Sequence, residues 1–310
     1  MSIPVVDFTS FKLDKSHVSD EDLEKLGVEL RAAFTGVGFV YLANTGIVQS
    51  EVDKVMAISK KFFLLPEEKK RPFERGNFAN SNHGWVSFGR ERLNPRRPGD
   101  LKESFNISSL CPDINWPSDG VAEFRETLKS FYLRCEDLSL RVLKLMALSL
   151  DLNPDVFLEA HTCMSTDDNA TTLRTLYYPP VDTGCVKDSQ VRCGEHSDYG
   201  SITLLFQGPE GGLQVQSRTG TYLSVPSIPG TVLVNIADLM QRWTGDVFIS
   251  AVHRVLLPSD GDSSSRQSLA FFVHPDDQAV ITCCDGSNKY PPVKALDYLM
   301  ERFGESYGST

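Results

Sequence analysis

The sequence predicts a mainly β protein with flanking helices (an α+β chain): a β-sandwich or barrel in the C-terminal half and a helical N-terminal region packed on it. Three observations carry this. After Pro154, short apolar segments recur between turns rich in Gly, Pro, Asp and Ser, the pattern of a sandwich or barrel. Before it, apolar residues step by three and four, as in helices with one buried face. No repeat or low-complexity tract divides the chain, so residues 1–310 are expected to form a single compact unit.

Composition narrows the function classes. The chain has 310 residues, 41% hydrophobic and 23% charged, ordinary values for a globular protein. A formal net charge of −10 with no basic block argues against nucleic acid or an anionic membrane as partner. Arg90 to Arg97 holds four arginines, but Glu91 and two prolines interrupt it, so it reads as a solvated or substrate-side loop. Seven cysteines without regular spacing do not make a disulfide framework. With no export signal and no apolar run near the ~20 residues a bilayer requires, a cytoplasmic location is expected.

The elements follow in order. Ile3 to Phe8 reads as a short buried strand. Ser19 then caps a helix with an acidic first turn that runs to about Phe34, and Gly36 and Gly38 end it. Phe39 to Leu42 is a strand of β-branched and aromatic residues; a second helix spans about Gln49 to Leu64, stopped by Pro66. Gly36-Val37-Gly38 precedes a strand, whereas a dinucleotide-binding glycine fingerprint follows one, so that reading fails. Pro72 to Pro117 looks like a long functional loop region with one strand, Glu103 to Ile107. Ala122 to Leu150 is a long amphipathic helix that buttresses the core.

Strands are then expected at Thr172 to Tyr178, Ser201 to Phe206, Leu213 to Gln216, Tyr222 to Val225 and Thr231 to Ile236. Val252 to Leu256, Ser268 to Val273 and Ala279 to Cys283 continue the series, and a helix over about Val293 to Phe303 closes the chain. Trp85, Phe88 and Phe105 read as core aromatics rather than pocket walls.

The chemistry centres on Gly194-Glu195-His196-Ser197-Asp198-Tyr199-Gly200. If this stretch is a strand, His196 and Asp198 point to one face, offering a nitrogen and an oxygen ligand together. That is two-thirds of the 2-His-1-carboxylate arrangement that suits non-haem Fe(II). His253, in the strand-like run Ala251 to Leu257, can supply the third ligand once a rolled sheet returns it. His17, His83, His161 and His274 read as structural histidines. A zinc site of Cys185, Cys193 and His196 fits no zinc spacing and is set aside.

The order His-x-Asp…His resembles the Fe(II)- and 2-oxoglutarate-dependent dioxygenases, in the isopenicillin-N-synthase-like branch. Arg266-Gln267-Ser268 has the family's RxS form, and Leu173 to Pro180 looks like the strand before the first ligand. Asn235-Ile236-Ala237-Asp238-Leu239-Met240-Gln241-Arg242-Trp243-Thr244 resembles the family's INxGDxLQxWT segment. Ile3 to Asp7 and Gly38 to Ile47 look like two hallmark stretches of its N-terminal region. Thr45, Ala237 and Gly245 depart from the commoner His, Gly and Asn.

The resemblance implies a double-stranded β-helix (jelly-roll) core over 168–285, an N-terminal dioxygenase region over 1–115 and a C-terminal helix over 293–303. It implies a dioxygenase that uses Fe(II), O2 and 2-oxoglutarate to hydroxylate, desaturate or cyclise a small soluble metabolite, with succinate and CO2 as co-products. His196, Asp198 and His253 would hold the metal. Arg266 would fork onto the distal carboxylate of 2-oxoglutarate, with the Ser268 hydroxyl on the same strand face. Arg174 or Tyr178 would bond the carboxylate nearer the metal, with Asn106 a further neighbour. A monomer is the expectation. Two alternatives stay open: an oxidase of this fold that does not use 2-oxoglutarate, and a non-catalytic small-molecule-binding protein on the same scaffold.

Overall fold

The computed structural model describes residues 2–76, 82–111, 114–181, 186–258 and 264–307. The N-terminal part runs β1 (Val5–Asp7), α1 (Asp20–Gly36), β2 (Phe39–Ala43), α2 (Gln49–Phe63) and a single helical turn, α3 (Glu67–Lys70). Then come β3 (Gly84–Val86), β4 (Glu103–Ile107) and the long α4 (Phe124–Ser149). The C-terminal half contains β5 (Thr172–Tyr178), β6 (Cys193–His196), β7 (Ile202–Gln207), β8 (Leu213–Gln216), β9 (Tyr222–Ser224) and β10 (Thr231–Ile236). It ends with α5 (Asp238–Trp243), β11 (His253–Val255), β12 (Arg266–Val273), β13 (Val280–Ile281), β14 (Val293–Lys294) and α6 (Ala295–Tyr307).

Local chemistry explains the helix boundaries. The Ser19 hydroxyl accepts from the Asp22 amide at 3.1 Å, and Asp20, Glu21 and Asp22 lie at the positive end of the α1 dipole. Past the other end, Gly38 takes φ +76, where a Cβ would collide with the Ile249 carbonyl. That glycine lets the chain pass from α1 straight into β2.

Two sheets make the core. In the larger the strand order is β1-β2-β10-β7-β12-β5-β4-β3; in the smaller it is β6-β11-β8-β9. The expected jelly roll is therefore present, and the N-terminal strands extend its large sheet at both edges. The period of two sorts the large sheet's side chains. Leu173, Leu204, Val234, Leu269 and Phe271 face α2 and α4 in the main apolar cluster. Leu176, Tyr178, Leu233 and Ala270 face the smaller sheet, meeting Cys193, Leu213, Val215 and Val255. Covered on both sides, β5 is buried along its whole length. The buttressing role read for α4 holds: Leu128, Phe131, Tyr132, Leu138, Val142 and Leu145 all lie in the main cluster.

Several expectations are corrected. The first strand is half-exposed rather than buried, with only Val6 inside, because β1 is an edge strand that pairs with β2 alone. The loop region before α4 holds a second strand, β3, paired with β4; three residues are too few for periodicity to reveal. The six-residue α5 inside the INxGDxLQxWT-like segment was read as part of no helix for the same reason. The expected strand at Ala279 to Cys283 shrinks to Val280–Ile281, paired with β14 outside the jelly roll, and the last helix begins at Ala295. Trp85 and Phe105 are core residues as expected, whereas Phe88 is half-exposed.

His161 shows a cost built into this packing. It is 3% exposed, with Nδ1 2.6 Å from the Phe157 carbonyl and Nε2 2.8 Å from the Ser201 hydroxyl. Burial pushes its pKa down from 6.5 to about 4. The unfolded chain therefore takes up a proton below pH 6.5 that the native state refuses until about pH 4. The neutral ring's stability is fully present above pH 6.5 and is lost as pH falls, by up to about 3 kcal/mol. Urea unfolding midpoints are expected to drop between pH 7 and 4.5, and His161→Gln should make that slope shallower by the share of this one ring, His83, His253 and His274 keeping theirs; an unchanged slope would contradict the assignment.

Candidate metal centre and adjoining cavities

His196 closes β6 and His253 opens β11, and the two are directly paired across the antiparallel ladder. Their rings lie 4.3 Å apart, centroid to centroid. Pairing thus brings together two histidines far apart in sequence. A register shift between His253 and Val255 marks a bulge just beyond, a feature common where a sheet aims side chains at a site. Asp198 lies past the end of β6, so the expectation that it shares a strand face with His196 is corrected. It occupies a turn whose carbonyls accept from α5: Asp198 from Asp238, Tyr199 from Leu239 and Gly200 from Met240. The helix start, not a pleat, positions the carboxylate. Gly200 is needed there because a Cβ would strike the Val273 carbonyl.

The hydrogen bonds leave one ligand atom per residue facing the centre. His196 Nδ1 is 2.8 Å from the Gly194 carbonyl and His253 Nδ1 is 3.1 Å from that of Ala251. A carbonyl only accepts, so each Nδ1 carries the proton and each Nε2 keeps its lone pair. Asp198 Oδ2 accepts from Thr203 Oγ1 at 2.7 Å and from Asn235 Nδ2 at 2.8 Å. Its Oδ1 lies 3.8 Å from His196 Nε2 and 3.7 Å from His253 Nε2. The three ligand atoms fall within 4.8 Å of one another, the one such cluster among the described residues.

Burial works against the charge on Asp198, but His253, His196, Asn235 and Thr203 together hold its carboxyl below the usual range. Burial, reinforced by His196, pushes His253 down to about 4, so it is neutral near pH 7. Two imidazoles and one carboxylate, their outer atoms all engaged, fit a divalent first-row metal and match the 2-His-1-carboxylate donor set of non-haem Fe(II). Sequence reasoning missed Thr203 and Asn235; a single buried-position polar residue inside each of two otherwise apolar strands was the available signal.

Two cavities, of about 560 and 510 Å3 counted out to their openings, meet at the triad. The first, between the sheets, is lined by Tyr178, Leu205, Arg266 and Ser268 among others. Arg266 is 1% exposed; its guanidinium donates to the Gly211 carbonyl at 2.8 Å, reaches the Ser268 hydroxyl at 3.3 Å, and lies over the Tyr178 ring. It pairs with no carboxylate among the described residues. The second cavity is lined by Asn82, Glu91, Tyr199, Phe272 and Phe303 besides His196 and Asp198.

Arg174 lines both cavities. On β5 it sits across from Ala270, while Tyr178 sits across from Arg266, so the two candidates occupy opposite ends of the first cavity. Arg174 donates to Asn106 Oδ1 at 2.9 Å and to Glu91 at 3.0 Å; Asn106 supports it from β4 and does not itself line either cavity. The loop from Arg90 to Arg97 lies beside the site. Arg97 clasps Glu195 with two bonds of 2.7 Å, and Glu91 is buried. Cys193 lines the first cavity beside Lys102 rather than acting with His196 as a zinc ligand; Cys185 lies outside the described residues.

Comparison with known proteins agrees with this geometry. The model of the 2OG-Fe(II) oxygenase superfamily matches residues 169–275, and that of the N-terminal region of non-haem dioxygenases in morphine synthesis matches residues 3–126. The chain belongs to the 2-oxoglutarate/Fe(II) oxygenase family. The dioxygenase is 36% identical to the proline hydroxylase buaE of Petromyces alliaceus, across 89% of this chain and 88% of that one. It is 33% identical to the 2-oxoglutarate-Fe(II) type oxidoreductase ppzD of Metarhizium rileyi, across 90% and 85%. A full-length Neurospora crassa protein crystallised with alpha-KG (2-oxoglutarate) superposes with a TM-score of 0.86 at 31% identity, over 97% of this chain and 96% of that one. The same protein with thymine also bound gives 0.86 over 98% and 96%.

The chain is thus a 2-oxoglutarate- and Fe(II)-dependent dioxygenase that oxidises a small molecule. No helix among its described residues is long and apolar enough to cross a membrane. Removing the Thr203 hydroxyl with Thr203→Val should weaken Fe(II) binding about 10- to 100-fold, because Asp198 loses a bond that orients it. Anaerobic metal titration checks this, with circular dichroism as a control for folding.

Proposed function

We propose that His196, Asp198 and His253 hold the Fe(II) and that Arg266, Ser268 and Tyr178 hold the distal carboxylate of 2-oxoglutarate. The observation that carries this is Arg266 itself. A buried guanidinium with no acidic partner is costly unless a ligand supplies the anion, and this one opens onto the cavity that ends at the triad. Its Nε is tied to Gly211 and its ring neighbour is Tyr178, so its fork is held ready for a carboxylate.

When bound, the iron supplies the oxidising chemistry, with 2-oxoglutarate as the source of two electrons and succinate and CO2 as its products. The protein's part is positioning. Thr203 and Asn235 fix one oxygen of Asp198 so that the other faces the metal position. The backbone carbonyls of Gly194 and Ala251 fix the histidine tautomers. Leu176, Leu205, Leu213 and Val255 line the first cavity with apolar surface and exclude water around the co-substrate.

Arg174 stands at the metal-proximal end of that cavity and faces the second one, which receives the molecule to be oxidised. Similar proteins point to a compact ring compound there: one is named a proline hydroxylase and another is crystallised with thymine and with 5-formyluracil. Hydroxylation, desaturation and ring closure are all open to such a site. The six described cysteines are free, which suits a reducing compartment such as the cytoplasm, and the site is complete within one chain, which suits a monomer.

Arg266→Ala should raise the KM for 2-oxoglutarate about a hundredfold or more while Fe(II) affinity in its absence stays unchanged; Arg266→Lys should fall between, keeping charge but losing the fork. Initial rates against 2-oxoglutarate, with succinate counted per substrate consumed, provide the measurement. An unaltered KM would remove Arg266 from the co-substrate site.

A further inference from the structure

The second cavity is charge-balanced in a way that restricts what it accepts; the argument rests on this cavity receiving the substrate. Apart from the triad, the acidic and basic side chains lining it among the described residues are Glu91 and Arg174, with His274 and Tyr199 as further titratable groups. Burial holds His274 neutral, with a pKa of about 4. Arg174 Nη1 donates to both Glu91 oxygens, at 3.0 and 3.3 Å. Behind them Lys102 Nζ lies 3.0 Å from Glu91 and 2.9 Å from Asp100. All four side chains are less than a tenth exposed. Among the described residues of this cluster two cations face two carboxylates, so Glu91 and Asp100 match Arg174 and Lys102 in charge. Burying a carboxylate here would strip its water without a free cation to replace it.

The same pair has a recognisable edge. A guanidinium donor beside a carboxylate acceptor complements a cis-amide, whose carbonyl accepts and whose N–H donates from one side of a ring. Apolar surface completes the cavity. Tyr199 and Phe303 meet edge to face at 5.6 Å, and Phe272 lies under the Arg174 guanidinium at 5.4 Å. The Asn82 amide, bonded to Arg75, Thr172 and Asn106, adds a polar group to the lining.

We propose that Glu91 is a specificity-determining residue: by neutralising Arg174 and Lys102 it makes the site select an uncharged ring with a cis-amide edge, a lactam or imide, over a carboxylate of similar size. Glu91→Gln would leave the cluster with one excess positive charge and open the site to acids.

The test is anaerobic calorimetry on the protein loaded with Fe(II) and 2-oxoglutarate, using matched probes: thymine against 5-carboxyuracil, and 2-piperidone against cyclohexanecarboxylate. In the native protein each neutral probe should bind about tenfold or more tightly than its charged twin. Glu91→Gln should narrow or invert that ratio by a similar factor, and the double variant Glu91→Gln/Lys102→Met, neutral again, should restore it. Equal or tighter binding of the acids by the native protein, no binding of either neutral probe, or a ratio that Glu91→Gln leaves unchanged overturns the proposal. The native comparison stands even if a variant fails to fold. The metal-to-2-oxoglutarate charge-transfer absorbance, recorded on the same samples, separates the two levels. With the band present and no selectivity, the Glu91 assignment fails alone; with no band, the co-substrate reading fails and takes this proposal with it.

Discussion

The antiparallel pairing of β6 with β11 is the constraint on which the site depends. It sets His196 opposite His253 and brings their rings to 4.3 Å, centroid to centroid. The pairing in turn requires the small sheet to face the large one, because Cys193 and Val255 are anchored against residues of β2, β5 and β10. The large sheet can bury both faces because α2 and α4 cover the other side. A chain of packing therefore leads from the amphipathic helices to the distance between two imidazoles.

Around that point, charge is arranged in graded fashion. As proposed, the triad sets a single carboxylate beside a divalent cation, which stays partly uncompensated. Arg266, which lines the first cavity, is a buried cation with no acidic partner among the described residues. Between them, Lys102, Asp100, Glu91 and Arg174 cancel one another. Two dianion-attracting positions with a neutral wall beside them suit a co-substrate that is a dianion and a second ligand that is not.

Part of this was legible in the amino acids. Thr172 to Tyr178, Leu213 to Gln216 and Thr231 to Ile236 are strands with the boundaries their apolar patterns indicate. The ordered recurrence of His-x-Asp, a later His and RxS pointed to the metal and the co-substrate. Short elements escaped: β3 and α5 are too brief to carry a period, and β1 looked buried because an edge strand and a central one share composition. Asp198 meets His196 and His253 through a turn held by α5 rather than through a shared strand face.

What the sequence by itself determined is the donor chemistry: two imidazoles and an arginine-serine pair on strands whose period of two sends them inward, and a carboxylate two residues past the end of one of those strands. That information is local, and a periodic backbone exposes it. What the tertiary structure alone decided is which distant side chains complete them. Thr203 and Asn235 orient Asp198, and Glu91, from an arginine-rich loop that looked solvated, is buried against Arg174 and Lys102. These partners come from separate strands and a loop, and no spacing along the chain encodes the distance between them. Their meeting depends on sheet register and loop course, which exist only after the two sheets have packed.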